Sequence, residues 1–63
     1  MKVGDLVRIK NTRSHSSYIW GKIGIVVICG TWSVDIRILD GTTIYGLCPR
    51  IAKKDCEVLS ASR

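Results

Sequence analysis

The chain has no phenylalanine, one proline, one histidine and, with two Trp and two Tyr, very few aromatic side chains among its 63 residues. Without Phe, the core must be filled by branched aliphatic residues, and Ile, Val and Leu dominate a 46% hydrophobic composition. Such residues favour half-buried pleated strands over helices. The one histidine, His15, lies in the wholly polar stretch Thr12-Arg13-Ser14-His15-Ser16-Ser17, where no strand or helix fixes it. A Cys–His nucleophilic pair needs a supporting shell that so short a chain can barely supply. No apolar run approaches the ~20 residues that span a bilayer. Met1-Lys2-Val3-Gly4-Asp5 lacks the apolar core and small-residue cleavage site of a signal peptide. Cys29, Cys48 and Cys56 are odd in number and lack the paired spacing of a secreted disulfide framework. These absences argue against an enzyme, a membrane protein and a secreted scaffold, and for a cytoplasmic site.

What is present is a set of short β-branched runs, each ended by a glycine-containing turn or by proline. Val34, Ile36 and Ile38 alternate with Ser33, Asp35 and Arg37, the period of a strand with one buried and one wet face. Asp40-Gly41 follows, before Thr42-Thr43-Ile44-Tyr45, and Asp-Gly between two such runs is a hairpin signal of the type I′ kind. Upstream, Leu6 to Lys10 reads as the first strand, with Val7 and Ile9 on one side and Arg8 and Lys10 on the other. Gly21 and Gly24 permit a bulge or a close backbone approach. Ile25-Val26-Val27-Ile28-Cys29 is apolar at every position, which predicts a central strand covered on both faces. Pro49 interrupts regular pairing, Arg50 to Lys54 reads as one helical turn ended by Asp55, and Cys56-Glu57-Val58-Leu59 is the last strand.

A chain this short hides only about 60% of the surface its unfolded form exposes, so one small core must take nearly all its apolar side chains. An enclosed substrate cleft would compete for the same residues. The formal charge of +5, from ten Lys plus Arg against five Asp plus Glu, favours polyanions or acidic protein surfaces, although it also lies within the range a small soluble domain carries, about 2 to 8.

Cys29, Cys48, Cys56 and His15 carry the atoms of a tetrahedral zinc site, but structural sites gather their ligands in close pairs, which these positions lack. The expected reading is no metal and no cofactor, with Cys29 and Cys56 acting as small hydrophobes in their strands. A Cys48–Cys56 disulfide is the other use of these thiols. No glycine-rich loop precedes a helix to cradle phosphate. The five carboxylates fall at turns and strand ends, as solvated residues do.

Five strands, a long first loop, two tight hairpins and a helical turn before the last strand describe an all-β fold: a small five-stranded antiparallel SH3-like barrel. It forms a single domain over 1–63, with 60–63 a frayed tail. Gly4-Asp5-Leu6-Val7-Arg8-Ile9 resembles the opening strand of many such barrels, and Gly21-Lys22-Ile23-Gly24-Ile25-Val26 resembles the glycine-bearing core of a KOW motif, found in ribosomal proteins and transcription elongation factors. The outline is also similar to small barrel proteins of tailed bacteriophages. The segment Lys10 to Ser17 is basic and serine-rich where peptide-binding SH3 domains are acidic, which argues against proline-rich ligands. The phage resemblance implies an accessory or structural protein, made in the host cytoplasm and virion-associated.

Two functions follow. The first is a non-enzymatic module that docks onto a larger protein assembly, or onto itself, through Tyr18, Trp20, Trp32 and Tyr45, with Arg13 and Arg37 at the rim. One tryptophan is expected to pack under the first loop and the other to stay partly exposed. The alternative, implied by the KOW resemblance, is a nucleic-acid binder whose Lys22, Arg37, Arg50, Lys53 and Lys54 contact phosphates. Neither reading involves a membrane or a small-molecule substrate.

Overall fold

The alternation of apolar and polar residues produces strands, as expected. In the computed structural model, which describes residues 1–11 and 17–60, β1 spans Leu6–Ile9, β2 Ile23–Cys29, β3 Ser33–Ile38, β4 Arg50–Ala52 and β5 Cys56–Ser60. Two single 3-10 turns, Ser17–Ile19 and Lys53–Asp55, are the only helical elements among these residues. All five strands lie in one antiparallel sheet in the order β4-β3-β2-β1-β5. The fold is therefore all-β. Hydrogen bonds do not close the sheet into a complete barrel; the Lys53–Asp55 turn carries the chain from one edge strand, β4, to the other, β5.

One face of this sheet is the core. Val7 and Ile9 of β1, Val26 of β2, Val34, Ile36 and Ile38 of β3, Ile51 of β4 and Cys56 of β5 are buried, and Ile19 from the first 3-10 turn packs onto them. Gly24 is needed where β2 crosses β3: a Cβ there would collide with Ile36 Cγ2 and lie 2.7 Å from the Arg37 carbonyl oxygen. The close approach suggested by the glycine spacing is thus real. Asp5 is buried at the start of β1 and accepts the Lys2 backbone N–H at 2.9 Å.

The structure corrects four expectations. β2 is central in the sheet, but it is covered on one face only: Ile23, Ile25, Val27 and Ile28 are exposed. Its unbroken apolar run arises partly because a bulge at Val27 interrupts the alternation, with Val26 opposite Ile36 and Ile28 opposite Asp35. Second, Asp40-Gly41 is not a type I′ hairpin. Only Gly41 has positive φ there: the Gly41 N–H donates to the Ile38 carbonyl at 3.0 Å, so the turn centres on Leu39 and Asp40, and the Asp40 carboxylate accepts the Thr42 N–H at 2.8 Å and the Lys22 ammonium at 2.6 Å. Third, Thr42 to Tyr45 forms no strand against β3; that position belongs to β4, in register Ser33–Ala52, Val34–Ile51 and Asp35–Arg50. Fourth, the helical turn before the last strand begins at Lys53, not Arg50, since Ile51 is drawn into the core as a strand residue. The expected tail falls largely on residues 61–63, which lie outside the described residues.

Candidate functional site

The tight hairpin that the sequence placed at Asp40-Gly41 occurs instead at Tyr45-Gly46. Ile44 and Leu47 pair antiparallel and exchange both backbone hydrogen bonds, at 3.0 and 2.9 Å, across a two-residue loop. Both loop residues have positive φ, 52° at Tyr45 and 76° at Gly46, which is the type I′ geometry. Glycine suits its place. Tyrosine does not, because an L side chain in the left-handed region crowds its own backbone. Tyr45 is the only non-glycine residue in that region among the described residues. Its side chain gains nothing in return from the fold, being 99% exposed at the turn tip.

Beside this tip Leu47 is an exposed apolar side chain, 70% accessible; Leu39, also exposed, lies apart, in a depression with Lys22 and Ile23. Leu47 and Cys48 line a shallow groove with Asp35 and Arg50, so the 42–48 segment borders the outer sheet face. Arg37 lines the adjoining depression with Thr42 and Thr43, and Tyr18 places its hydroxyl 3.4 Å from the Thr43 carbonyl oxygen. Tyr18, Arg37 and Tyr45, three residues expected at a protein-binding surface, are therefore grouped about one segment. Leu47 joins them. Sequence reading missed it because it falls between strands; an X-Gly pair flanked by Ile and Leu was the available signal for the turn.

Trp32 belongs elsewhere. It sits at the opposite end of β3, in the turn closed by the Gly30 N–H donating to the Ser33 carbonyl at 2.9 Å, and it is 83% exposed. Trp20 is largely covered, with 36% of its surface exposed, and the seven residues of β2 separate the two tryptophans. They do not share a platform. Arg13 and His15 lie outside the described residues.

The phosphate-binding set of the alternative reading divides in the same way. Arg50 pairs with Asp35 at 3.0 Å directly across the β3–β4 ladder, and Lys22 pairs with Asp40 at 2.6 Å. Arg8 and Glu57 make a third pair across β1 and β5. Hydrogen bonds from Lys22 and Thr42 hold the Asp40 carboxyl well below the usual carboxylate range. Asp5 and Asp55 are buried. All five carboxylates are thus ion-paired or buried, whereas Lys2, Lys10, Arg37, Lys53 and Lys54 form no ion pair among the described residues. The charge left unpaired on this surface is positive.

The cysteines do not converge. All three are free thiols; Cys29 and Cys48 are exposed, while Cys56 is buried, its thiol pKa pushed up to about 11 by loss of solvent and by the nearby Asp55 charge. The hydrophobe reading therefore holds for Cys56 and fails for Cys29, which stands at the end of β2 where the core no longer reaches. No three His, Cys, Asp or Glu side chains gather among the described residues. No helix among them is long and apolar enough to cross a membrane. Comparison with protein-family models, curated proteins and solved structures finds no match.

Proposed function

We propose that this protein is a non-enzymatic docking module that inserts the Tyr45 hairpin into a pocket on a larger, acidic protein surface. The observation that carries this reading is the conformation of Tyr45. A non-glycine residue held at φ 52° costs of order 1–3 kcal/mol, and a ring that is 99% exposed recovers none of it within the fold. Binding offers a place where the ring can be buried. Tyrosine suits such an anchor, since it brings large contact area with few rotamers to freeze and a hydroxyl for one hydrogen bond. The exposed Leu47, two residues on in the same hairpin, adds apolar surface to the contact.

Charge selects the partner. Arg37 borders the hairpin without a counter-ion among the described residues, and the chain carries +5 overall. A second copy would bring the same sign, so an acidic partner is favoured over self-association. The accessory role implied by the phage resemblance is one form such docking takes.

The test is paired affinity capture from the native source with the wild-type protein and Tyr45→Asn, followed by titration of the purified captured protein. An acidic protein that binds the wild type and is lost with Tyr45→Asn supports the proposal. Equal capture and equal affinity for the two forms refutes it.

A further inference from the structure

The end of β3 remote from Tyr45 has its own chemistry. Thr31, Trp32, Ala52, Lys53 and Lys54 line an open groove of about 550 Å³. The Lys53 backbone N–H donates to the Trp32 carbonyl at 2.9 Å, which ties the tryptophan's turn to the 3-10 turn bearing the two lysines. On the far side of that turn the Lys10 ammonium lies 3.4 Å from the Lys54 carbonyl oxygen, extending the positive rim beyond Lys54. None of these three lysines forms an ion pair among the described residues. The nearest acidic residue in sequence, Asp55, is turned into the protein.

We propose that Trp32 with Lys10, Lys53 and Lys54 forms a binding site for single-stranded nucleic acid, in which a base stacks on the indole and the ammonium groups neighbour its phosphates. A flat exposed indole beside unpaired cations offers both halves of a nucleotide a partner: the ring stacks on any base, and the lysines act as point charges for the backbone. The strand must be single, because stacking on Trp32 needs a base free of its own neighbour. Three lysines and one aromatic give a short, sequence-tolerant site. It excludes Lys22 and Arg50, whose charges are satisfied by Asp40 and Asp35. This site does not rest on the Tyr45 reading, and Tyr45→Asn leaves it intact.

A labelled deoxythymidine decamer is titrated by fluorescence anisotropy, with intrinsic tryptophan fluorescence followed in parallel. Binding at 50 mM salt is expected, with quenching that disappears in Trp32→Leu, and Trp32→Phe retaining most of the affinity. Trp32→Leu should weaken binding about tenfold or more, the effect of losing one base stack. Three phosphate contacts on a single strand give a slope near −2 for log K against log salt, so affinity falls roughly 20-fold between 50 and 200 mM. Lys53→Gln with Lys54→Gln brings that slope to about −0.7. Trp32 and Lys54 are exposed and Lys53 is half-buried, all three outside the core, so circular dichroism should show these variants folded. No binding at 50 mM salt, equal binding of a duplex decamer, or equal quenching by polyglutamate would each overturn the proposal.

Discussion

Replacing Tyr45 with asparagine should make the protein more stable and less functional at once. The perturbation is local: the ring makes no packing contact to lose at 99% exposure, and Gly46 already occupies the second turn position at φ 76°. Asparagine is several-fold enriched at positive φ and, followed by glycine, is the pair that type I′ turns favour. The left-handed conformation costs an ordinary L residue about 1–2 kcal/mol, of which asparagine should recover about 1 kcal/mol. For a domain of this size that raises Tm by roughly 4–8 °C. Thermal unfolding followed by circular dichroism measures it, and urea titration should show a higher midpoint with an unchanged slope. Tyr45→Ala is the control, since alanine removes the ring and keeps the strain; its Tm should stay near the wild-type value. If Tyr45→Asn instead lowers Tm, the ring supports the fold and the strain argument fails.

Other perturbations test the frame around that turn. Gly24→Ala drives a methyl group into Ile36 and the Arg37 carbonyl, where the backbone cannot easily yield; a loss of about 1–3 kcal/mol is expected from chemical denaturation. Ile36→Ala removes a fully buried side chain and should cost about 2–5 kcal/mol, enough to leave so small a domain largely unfolded at 37 °C by near-ultraviolet circular dichroism. The depressed pKa of Asp40 contributes stability that is present above the ordinary carboxylate range and lost as pH falls below it. Acid unfolding should therefore begin less steeply in Asp40→Asn. Cys56 has the opposite sign: its raised folded pKa contributes stability that is complete below about 9 and disappears as pH rises toward about 11. At pH 8 a thiol reagent should label Cys29 and Cys48 rapidly and Cys56 only at the rate of unfolding.

Where the sequence could be read, a buried face left a period in it. Val7 and Ile9, then Val34, Ile36 and Ile38, alternate with polar partners, and their strands formed with the expected sides inward. The β2 run was misread because a bulge and an exposed apolar outer face produce the same unbroken string as burial on both sides. Asp40-Gly41 misled for a different reason. The hairpin signal assumes a turn centred on Asp40 and Gly41, whereas the turn closes one residue earlier, from the Gly41 N–H to the Ile38 carbonyl, and the Asp40 carboxylate holds Lys22, a partner 18 positions away that no local pattern reveals. The same long-range pairing hid which cations were free: Lys22, Arg50 and Lys54 look alike in sequence, and only the register of β3 against β4 takes Arg50 out of the set.

That division of charge also bears on how the two surfaces relate. The ion pairs Arg8–Glu57, Asp35–Arg50 and Lys22–Asp40 lie in the strands or across the turns flanking them, where exposed pairs contribute little to stability. Their effect is to neutralise the outer face and leave its middle to Ile23, Ile25 and Ile28. The unpaired cations are left at the margins, Arg37 beside the Tyr45 hairpin and Lys10, Lys53 and Lys54 beside Trp32. Four residues of β3, Ser33 to Ile36, lie between Trp32 and Arg37, a span of about 17 Å from one to the other. A base stacked on Trp32 and a Tyr45 ring seated in a pocket therefore occupy separate places on one copy. A complex holding the acidic protein and the thymidine strand together, with the affinity of each unchanged by the other, is the expected result; mutual exclusion would mean that the two sets of residues serve a single surface.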